Sequence, residues 1–355
     1  MKALIAMSGG VDSSMAAKLT IVKGIDCIGC TMKLFENEDA GLKTQRTCCS
    51  LDDVEDARSV ARRLNMPFYV FNYKDEFRSC VMEKFVRSYA EGKTPNPCID
   101  CNRYLKFDKL LQRAGEIGCD YIVTGHYAII ERDDSTGKYL LKKGVDPAKD
   151  QSYVLHRMTQ EQLAHTLMPL GGYTKAEIRV MAEKAGFVNA NKPDSEDICF
   201  VPDGDYAGMI ERFLGKEFPP GEFVDTSGNV IGQHRGIIHY TVGQRKHLGQ
   251  TFGEPRYVCG VDAEKNRVIL GTANEVFSEK ALVTDFNWIS GEAPKCDIRC
   301  TVRTRYQQKE KPATVRVQAD GTVEIVFDDP QRAVTPGQAA VLYDGDIVLG
   351  GGTII

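Results

Sequence analysis

Ala3-Leu4-Ile5-Ala6-Met7-Ser8-Gly9-Gly10-Val11-Asp12-Ser13-Ser14-Met15-Ala16-Ala17-Lys18-Leu19 decides the fold. The apolar run Ala3–Met7 predicts a buried parallel strand, and Met15–Leu19 predicts the start of a helix. Between them lies a turn with two glycines and three serines. A Gly-rich turn from strand to helix suits an anion: the backbone can approach closely, and the helix amino end offers unpaired N–H groups and a positive dipole. The hydroxyls of Ser8, Ser13 and Ser14 add donors, and Asp12 is placed to hold a metal on bound phosphates. The GxxxxGK[ST] lysine of a Walker A loop is missing, and so is the GxGxxG of a dinucleotide fold. The plain alternative is an ordinary turn of small residues.

The segments that follow alternate between strand and helix. Ile25–Met32, Phe68–Phe71 and Asp120–Thr124 read as strands. Ser50 with Asp53 reads as a capping box opening a helix whose apolar face is Leu51, Val54, Ala57, Ala61 and Leu64. Residues 75–90, 102–117, 149–165 and 174–185 also read as helices, the last with a Thr174/Glu177 capping box and a Gly186 stop. Asp134–Gly137 reads as a hairpin turn. This order predicts an α/β doubly wound parallel sheet, with ligands at the carboxyl ends of its strands. The Ser8–Ser14 turn, Met32, Gly125 and His126 all fall at such ends.

After about residue 203 one helix remains, Tyr206–Leu214, and short β segments take over. The chain is expected to divide into 1–202, a small central, mostly β unit at 203–276, and a terminal β-barrel at 277–355. Its 355 residues are enough for three cores. No apolar run approaches membrane-spanning length, so no membrane partner and a cytoplasmic location are expected. Twelve cysteines in that compartment are mostly thiols. The net charge of −4 argues against indiscriminate coating of nucleic acid. It leaves room for a local basic face: from Lys295 to Arg316 seven basic residues stand against two acidic ones.

Cys98 and Cys101 form a C-x-x-C in a Pro-Asn-Pro loop, and Cys199 lies in Asp194–Phe200. A polar loop is a poor place to bury thiols, and Cys101 at a predicted helix start would gain thiolate character from the dipole. No second C-x-x-C or H-x-x-x-H completes a zinc site. Cys27, Cys80 and Cys119 fit small buried hydrophobes, and Cys48-Cys49 gains no firm role.

SGGVDS also resembles the loop of the PP-loop ATP pyrophosphatases, which implies adenylation of a substrate with release of pyrophosphate. The chain as a whole resembles the bacterial tRNA-specific 2-thiouridylase family. The resemblance rests on SGGVDSS at 8–14, TPNPCIDCNRYLKF at 94–107, TGHYA at 124–128 and KDQSYVL at 149–155. It continues with ICFV at 198–201, YTVGQRKHLG at 240–249, VRTRY at 302–306 and TPGQAAVLY at 335–343. It implies 2-thiolation of wobble uridine 34 in the tRNAs for Lys, Glu and Gln. Ala6, Met7, Ser8, Gly9, Gly10, Val11, Asp12 and Ser13, with Met32 and Gly125, would then bind ATP with Mg²⁺. Cys101 matches the catalytic cysteine and Cys199 the persulfide carrier. Asn96, Pro97, Cys98, His126, Lys149, Asp150, Gln151, Arg305, Tyr306 and Gln338 match tRNA-contacting positions, and Arg303 joins Arg305 as a candidate for phosphate pairing. A cysteine desulfurase or sulfur-relay protein is the implied partner.

Cys98 departs from the family's common form, where Asp stands at this place. The departure favours a branch in which Cys98, Cys101 and Cys199 hold a [4Fe–4S] cluster with one iron open to a loose sulfide. Such clusters ordinarily take four cysteines, so a cluster-free route also stands, with Cys101 attacking a Cys199 persulfide. A PP-loop synthetase acting on a small molecule and a non-catalytic sulfur or cluster carrier are the rival functions.

Overall fold

The computed structural model describes residues 1–36, 51–194 and 198–355. Ser50, Cys48, Cys49 and residues 195–197 lie outside the described residues, so the Ser50 cap and the Cys48-Cys49 pair go untested. In the first part of the chain, strands β1 (Lys2–Ala6), β2 (Asp26–Lys33), β3 (Phe68–Asn72), β4 (Tyr121–Val123) and β7 (Thr166–Leu167) form one parallel sheet in the order β3-β2-β1-β4-β7. Helices α1 (Val11–Val22), α2 (Leu51–Arg63) and α3 (residues 74–90) follow the first three strands, and α4 (97–116) precedes β4.

The period of two along each strand splits the core. Ala3, Ile5, Cys27 and Val123 pack on one face with Ala16 of α1, Ala57 and Val60 of α2, and Ile178 of a later helix. Leu4, Cys30 and Ile122 pack on the other with Phe85 and Val86 of α3 and Leu105 and Leu110 of α4. The sheet order reverses between β1 and β4, which opens a crevice at their carboxyl ends.

Two helices are wound more loosely in part. Arg78–Met82 within α3 and Cys101–Lys109 within α4 are π-helical, a form that concentrates at functional sites. The 149–165 segment is broken: a 3₁₀ turn at Ser152–Leu155 gives way at Thr159, which caps α5 (Gln160–Ala164) through a capping box. The next helix, α6 (Lys175–Lys184), carries the expected Thr174/Glu177 box. Gly186 stops it with φ +67°. After α7 (Tyr206–Leu214), β8 (Gly221–Asp225), β9 (Val230–His234), β10 (Tyr257–Asp262) and β11 (Arg267–Gly271) form a separate four-stranded sheet.

The last six strands close on themselves. They are β12 (Phe277–Trp288), β13 (Ile298–Arg303), β14 (Lys311–Val317), β15 (Val323–Arg332), β16 (Ala339–Asp344) and β17 (Ile347–Ile354), with β12 pairing both β15 and β17. The hairpin β5 (Ala128–Arg132) and β6 (Tyr139–Lys143) leaves the parallel sheet and pairs with β17 through Ile347 and Lys142. Residues of the first 150 thus extend the barrel sheet. The core on the α3–α4 side runs on through Phe200, Met209, Phe223 and Val258 to Tyr343, so all three parts share it.

Phe200 is 1% exposed and meets Phe77 and Phe85 edge-on, with ring centroids 5.6 and 5.3 Å away. Phe200→Ala is expected to cost about 3–5 kcal/mol of stability, read from urea unfolding curves.

Candidate active site

The Ser8–Ser14 turn is built as the sequence predicts. Ala6 ends β1. Met7 donates its N–H to the Cys30 carbonyl and accepts from the Thr31 hydroxyl, both at 2.7 Å. This ties the turn to β2 just before the half-buried Met32. Gly9 takes φ +77°, and a Cβ there would meet the Asp53 Cα at 2.8 Å, so both conformation and space demand glycine. Gly10 caps α1 with its amino end open, and Val11 is buried beneath it. Ser13 and Ser14 donate to the Gly10 carbonyl at 3.1 and 3.0 Å, and the Ser8 N–H donates to Ser13 Oγ at 3.2 Å. A Cβ on Gly125 would lie 2.8 Å from the Ser13 nitrogen, so the end of β4 also closes on α1 without a side chain.

Asp12 is held on two sides. Tyr127 donates its hydroxyl at 2.7 Å, and Lys175 donates to both carboxylate oxygens at 2.8 and 2.7 Å. Burial, then the Asp12 charge, push the Tyr127 phenol far above its usual range, which keeps it a donor. Asn189 is buried and donates to the Gly9 carbonyl at 2.8 Å and to Ser14 Oγ at 2.9 Å. None of Tyr127, Lys175 and Asn189 was assigned a role from sequence. Tyr127 sat inside the TGHYA match, but Lys175 and Asn189 carry no motif.

The thiols lie on the α4 side. Asn96 caps α4 by accepting the Cys98 N–H at 3.1 Å, and Pro97 takes the first helical position. The helix therefore starts about a turn before the residue expected. Cys98 occupies the amino end with its dipole, and Cys101 sits at the start of the π-helical stretch. Cys98 is exposed, whereas Cys101 and Cys199 are half-buried against the same core. Among the described residues no group of three or more His, Cys, Asp or Glu side chains is arranged to hold a metal ion. The three-thiolate set is therefore not assembled in this arrangement. Asp12, the residue expected to hold a metal on bound phosphates, is engaged here by Lys175 and Tyr127.

The 149–151 segment links both regions to the barrel. Lys149 pairs with Asp194 at 2.7 Å. Burial works to raise the Asp194 pKa, but hydrogen bonds from Lys149 and Lys175 outweigh it and hold it below the usual carboxylate value. Asp150 is buried and accepts from the Gly144 and Ser152 N–H groups, the Ser152 hydroxyl and Arg303 at 2.9–3.2 Å. Gln151 exchanges two hydrogen bonds with the Tyr127 backbone at 2.9 and 3.0 Å. The Tyr306 ring lies 5.9 Å from that of Tyr153, and burial, then the charges of Asp150 and Cys98, raise its phenol pKa.

Gln338 donates to the Thr94 carbonyl at 2.8 Å. Arg305 is largely buried and donates to the Val242 carbonyl and the Thr335 hydroxyl, with its Nε unpartnered. These contacts join all three parts of the chain. Three of the seven basic residues from Lys295 to Arg316 pair with carboxylates: Arg303 lies between Asp150 and Glu310, Arg299 grips Asp328 with two bonds, and Arg316 meets Asp297. His126 is 7% exposed, shares a 2.8 Å hydrogen bond with Thr124 and packs 5.8 Å from the Phe107 ring. Burial, then Lys106, hold its pKa well below the ordinary value, so it offers a hydrogen bond and no charge.

Three family models match in sequence: the tRNA methyl transferase HUP domain over residues 1–203, the tRNA methyl transferase PRC-barrel domain over 207–272 and the aminomethyltransferase β-barrel domain over 278–354. The chain is 52% identical over 354 residues to the tRNA-specific 2-thiouridylase MnmA of Acetivibrio thermocellus, covering 99% of each. It is 49% identical over 353 residues to the enzyme of the same name from Clostridioides difficile, covering 99% of this chain and 98% of that one. A 4-thiouridine synthetase–RNA complex with bound ATP aligns over 60% of this chain and 53% of its own, with 17% identity and a TM-score of 0.37. No helix among the described residues is long and apolar enough to cross a membrane.

Gly9→Ala is expected to abolish nucleotide binding in a calorimetric titration while leaving a cooperative unfolding transition. His126 and His156 resist protonation in the folded state, the latter held down to about 3 chiefly by burial. The unfolded chain then binds more protons below the ordinary value of 6.5, so stability falls as pH drops through that value. Unfolding curves across this range should show a shallower fall for His126→Gln.

Proposed function

The chain belongs to the family of tRNA-specific 2-thiouridylases, and on that premise we propose that it replaces the C2 oxygen of wobble uridine 34 by sulfur in the tRNAs for Lys, Glu and Gln. The observation that carries this reading is identity near one half over the full length of relatives bearing that name. Residues 1–202 would perform the chemistry, and 203–276 and 277–355 would hold the tRNA.

ATP binds with its phosphates against the open amino end of α1 and the N–H groups of Gly9 and Gly10. Ala6–Ser13, Met32 and Gly125 line the nucleotide. Mg²⁺ accompanies ATP as a counter-ion to its phosphates. The base leaves its stack, which an anticodon position does at modest cost. Its C2 oxygen attacks the α-phosphorus, and pyrophosphate leaves. A poor leaving group has become AMP.

Sulfur then arrives on Cys199. The terminal sulfur of a Cys199 persulfide attacks C2, and the C2–O bond breaks as AMP departs. Cys101 attacks the Cys199 sulfur of the mixed disulfide that results. The S–S bond to the transferred atom breaks, the thiocarbonyl remains on the base, and a Cys101–Cys199 disulfide forms. The transferred sulfur is reduced as the two thiols are oxidised, so a dithiol reductant must restore them. A cysteine desulfurase or sulfur-relay protein in the cytoplasm would reload Cys199. Asn96, Pro97, Cys98, His126, Lys149, Asp150, Gln151, Arg305, Tyr306 and Gln338 would position the tRNA. The persulfide route is preferred to the cluster because it needs only the two half-buried thiols, Cys101 and Cys199, and leaves the exposed Cys98 without a covalent part.

The test is nucleoside mass spectrometry of tRNA incubated with ATP and a desulfurase-generated persulfide. One oxygen should be exchanged for sulfur, whereas a methylated product would refute the reading. Cys101→Ser and Cys199→Ser should each lose about a thousandfold or more in rate. Cys98→Ser should lose little; a loss as severe as the other two would restore the cluster.

A further inference from the structure

Cys101 opens the π-helical stretch of α4, and its neighbours in the chain are anchored to three parts of the fold. Asp100 is 6% exposed and accepts from Lys84 of α3 at 2.6 Å. Asn102 is 3% exposed and donates to the Val154 carbonyl at 3.1 Å. Arg103 donates to the Asp285 carboxylate of β12 at 2.8 Å, across 182 positions of the chain. So rare a winding is found mostly where a function keeps it. Here the contact of longest reach comes from the barrel.

Asp285 lies in a bulge: between Thr284 and Asn287 the register of β12 with β17 shifts. It takes φ +47°, a left-handed conformation that aspartate and asparagine tolerate better than most residues. Its carboxylate also meets Arg157 at 3.0 Å, and its carbonyl accepts from the same guanidinium. Two residues on, Asn287 donates to the His156 and Met158 carbonyls at 2.7 and 3.1 Å. The bulge thus grips Arg103 directly, and it grips the segment on which Asn102 rests. Burial lowers the pKa of Arg157, Asp285 opposes the fall, and Arg103 adds to it. The Asp285 charge is what lets two guanidiniums sit side by side, one of them 8% exposed.

We propose that Asp285 is a positioning residue for Cys101: its carboxylate clasps Arg103 and Arg157 together, and the barrel thereby sets the winding of α4 that aims the thiol. The inference rests on the role given to Cys101 above. A thiol that must meet a persulfide sulfur in line is sensitive to placement, since a shift of about 1 Å costs about a hundredfold in rate. The barrel is then a working part of the site as well as a support for tRNA.

The first readout is amide hydrogen exchange of residues 101–109, followed by mass spectrometry under native conditions without substrates. Asp285→Asn removes the charge and keeps a side chain suited to the same backbone conformation. Arg103→Met cuts the clasp from the other end and leaves Arg157 paired with Asp285. In both variants these amides should exchange about tenfold faster or more, as expected of a local opening. Arg103→Lys keeps a cation for Asp285 and should recover most of the protection. Val315→Ala, in the barrel core, is the control for a general loss of stability and should leave these amides protected.

The second readout is single-turnover thiolation by persulfide-loaded protein at saturating tRNA and ATP. It should fall about tenfold or more in Asp285→Asn and Arg103→Met, while the affinities for tRNA and for a non-cleavable ATP analogue stay unchanged. A merely structural role for Asp285 would lower the melting temperature, as Val315→Ala does, and leave residues 101–109 protected. That result overturns the proposal. So does loosening of 101–109 with no fall in thiolation. An unmodified protein that makes no 2-thiouridine overturns the proposed function instead, and the exchange result still decides the clasp.

Discussion

Everything near the crevice depends on how closely the amino end of α1 is packed by backbone alone. Gly9 leaves no room for a Cβ against Asp53, and Gly125 leaves none against Ser13. These two contacts bring α2 and the end of β4 onto the turn, and they keep the N–H groups of Gly9 and Gly10 clear of their own side chains. Asn189 then fixes the Gly9 carbonyl and Ser14 from the segment after α6. The result is a side-chain-poor turn at the point where the strand order reverses, the place where an open α/β sheet takes its ligand.

Hydrogen bonds and ion pairs extend this packing outward. The 149–151 segment is tied to Tyr127 by Gln151 and to the barrel by Asp150 and Arg303. Arg305 and Gln338 fasten the barrel to the central part and to the Thr94 loop. Several residues that looked like RNA contacts thus also hold the three parts in register. A buried pair such as Asp150–Arg303 contributes little net stability compared with an apolar substitute, and its value lies in fixing geometry.

The sheet and the phosphate turn were legible because an apolar strand, two glycines and a helix are local signals. The start of α4 was misread for an equally local reason. Pro-Asn-Pro looks like a loop, yet Asn at the cap and Pro at the first position are also the chemistry of a helix start. That shift moves the dipole from Cys101 to Cys98. The π-helical winding from Cys101 leaves no mark in the spacing of apolar residues. The hairpin β5–β6 was seen, but its pairing with β17 spans two hundred residues and depends on tertiary contact. Lys175 was invisible because a lysine in a capping box reads as a solvated surface residue. Only the folded chain brings it to Asp12, 163 positions away.

On the proposed reading, the turn after β1 serves to activate the uridine C2 oxygen by adenylation. The most direct test is to supply tRNA whose target uridine carries heavy oxygen at C2 and to follow the isotope by mass spectrometry. The isotope is expected to leave in AMP, one atom for each 2-thiouridine formed. Heavy oxygen in water or in pyrophosphate, or 2-thiouridine formed with no labelled AMP, would contradict it.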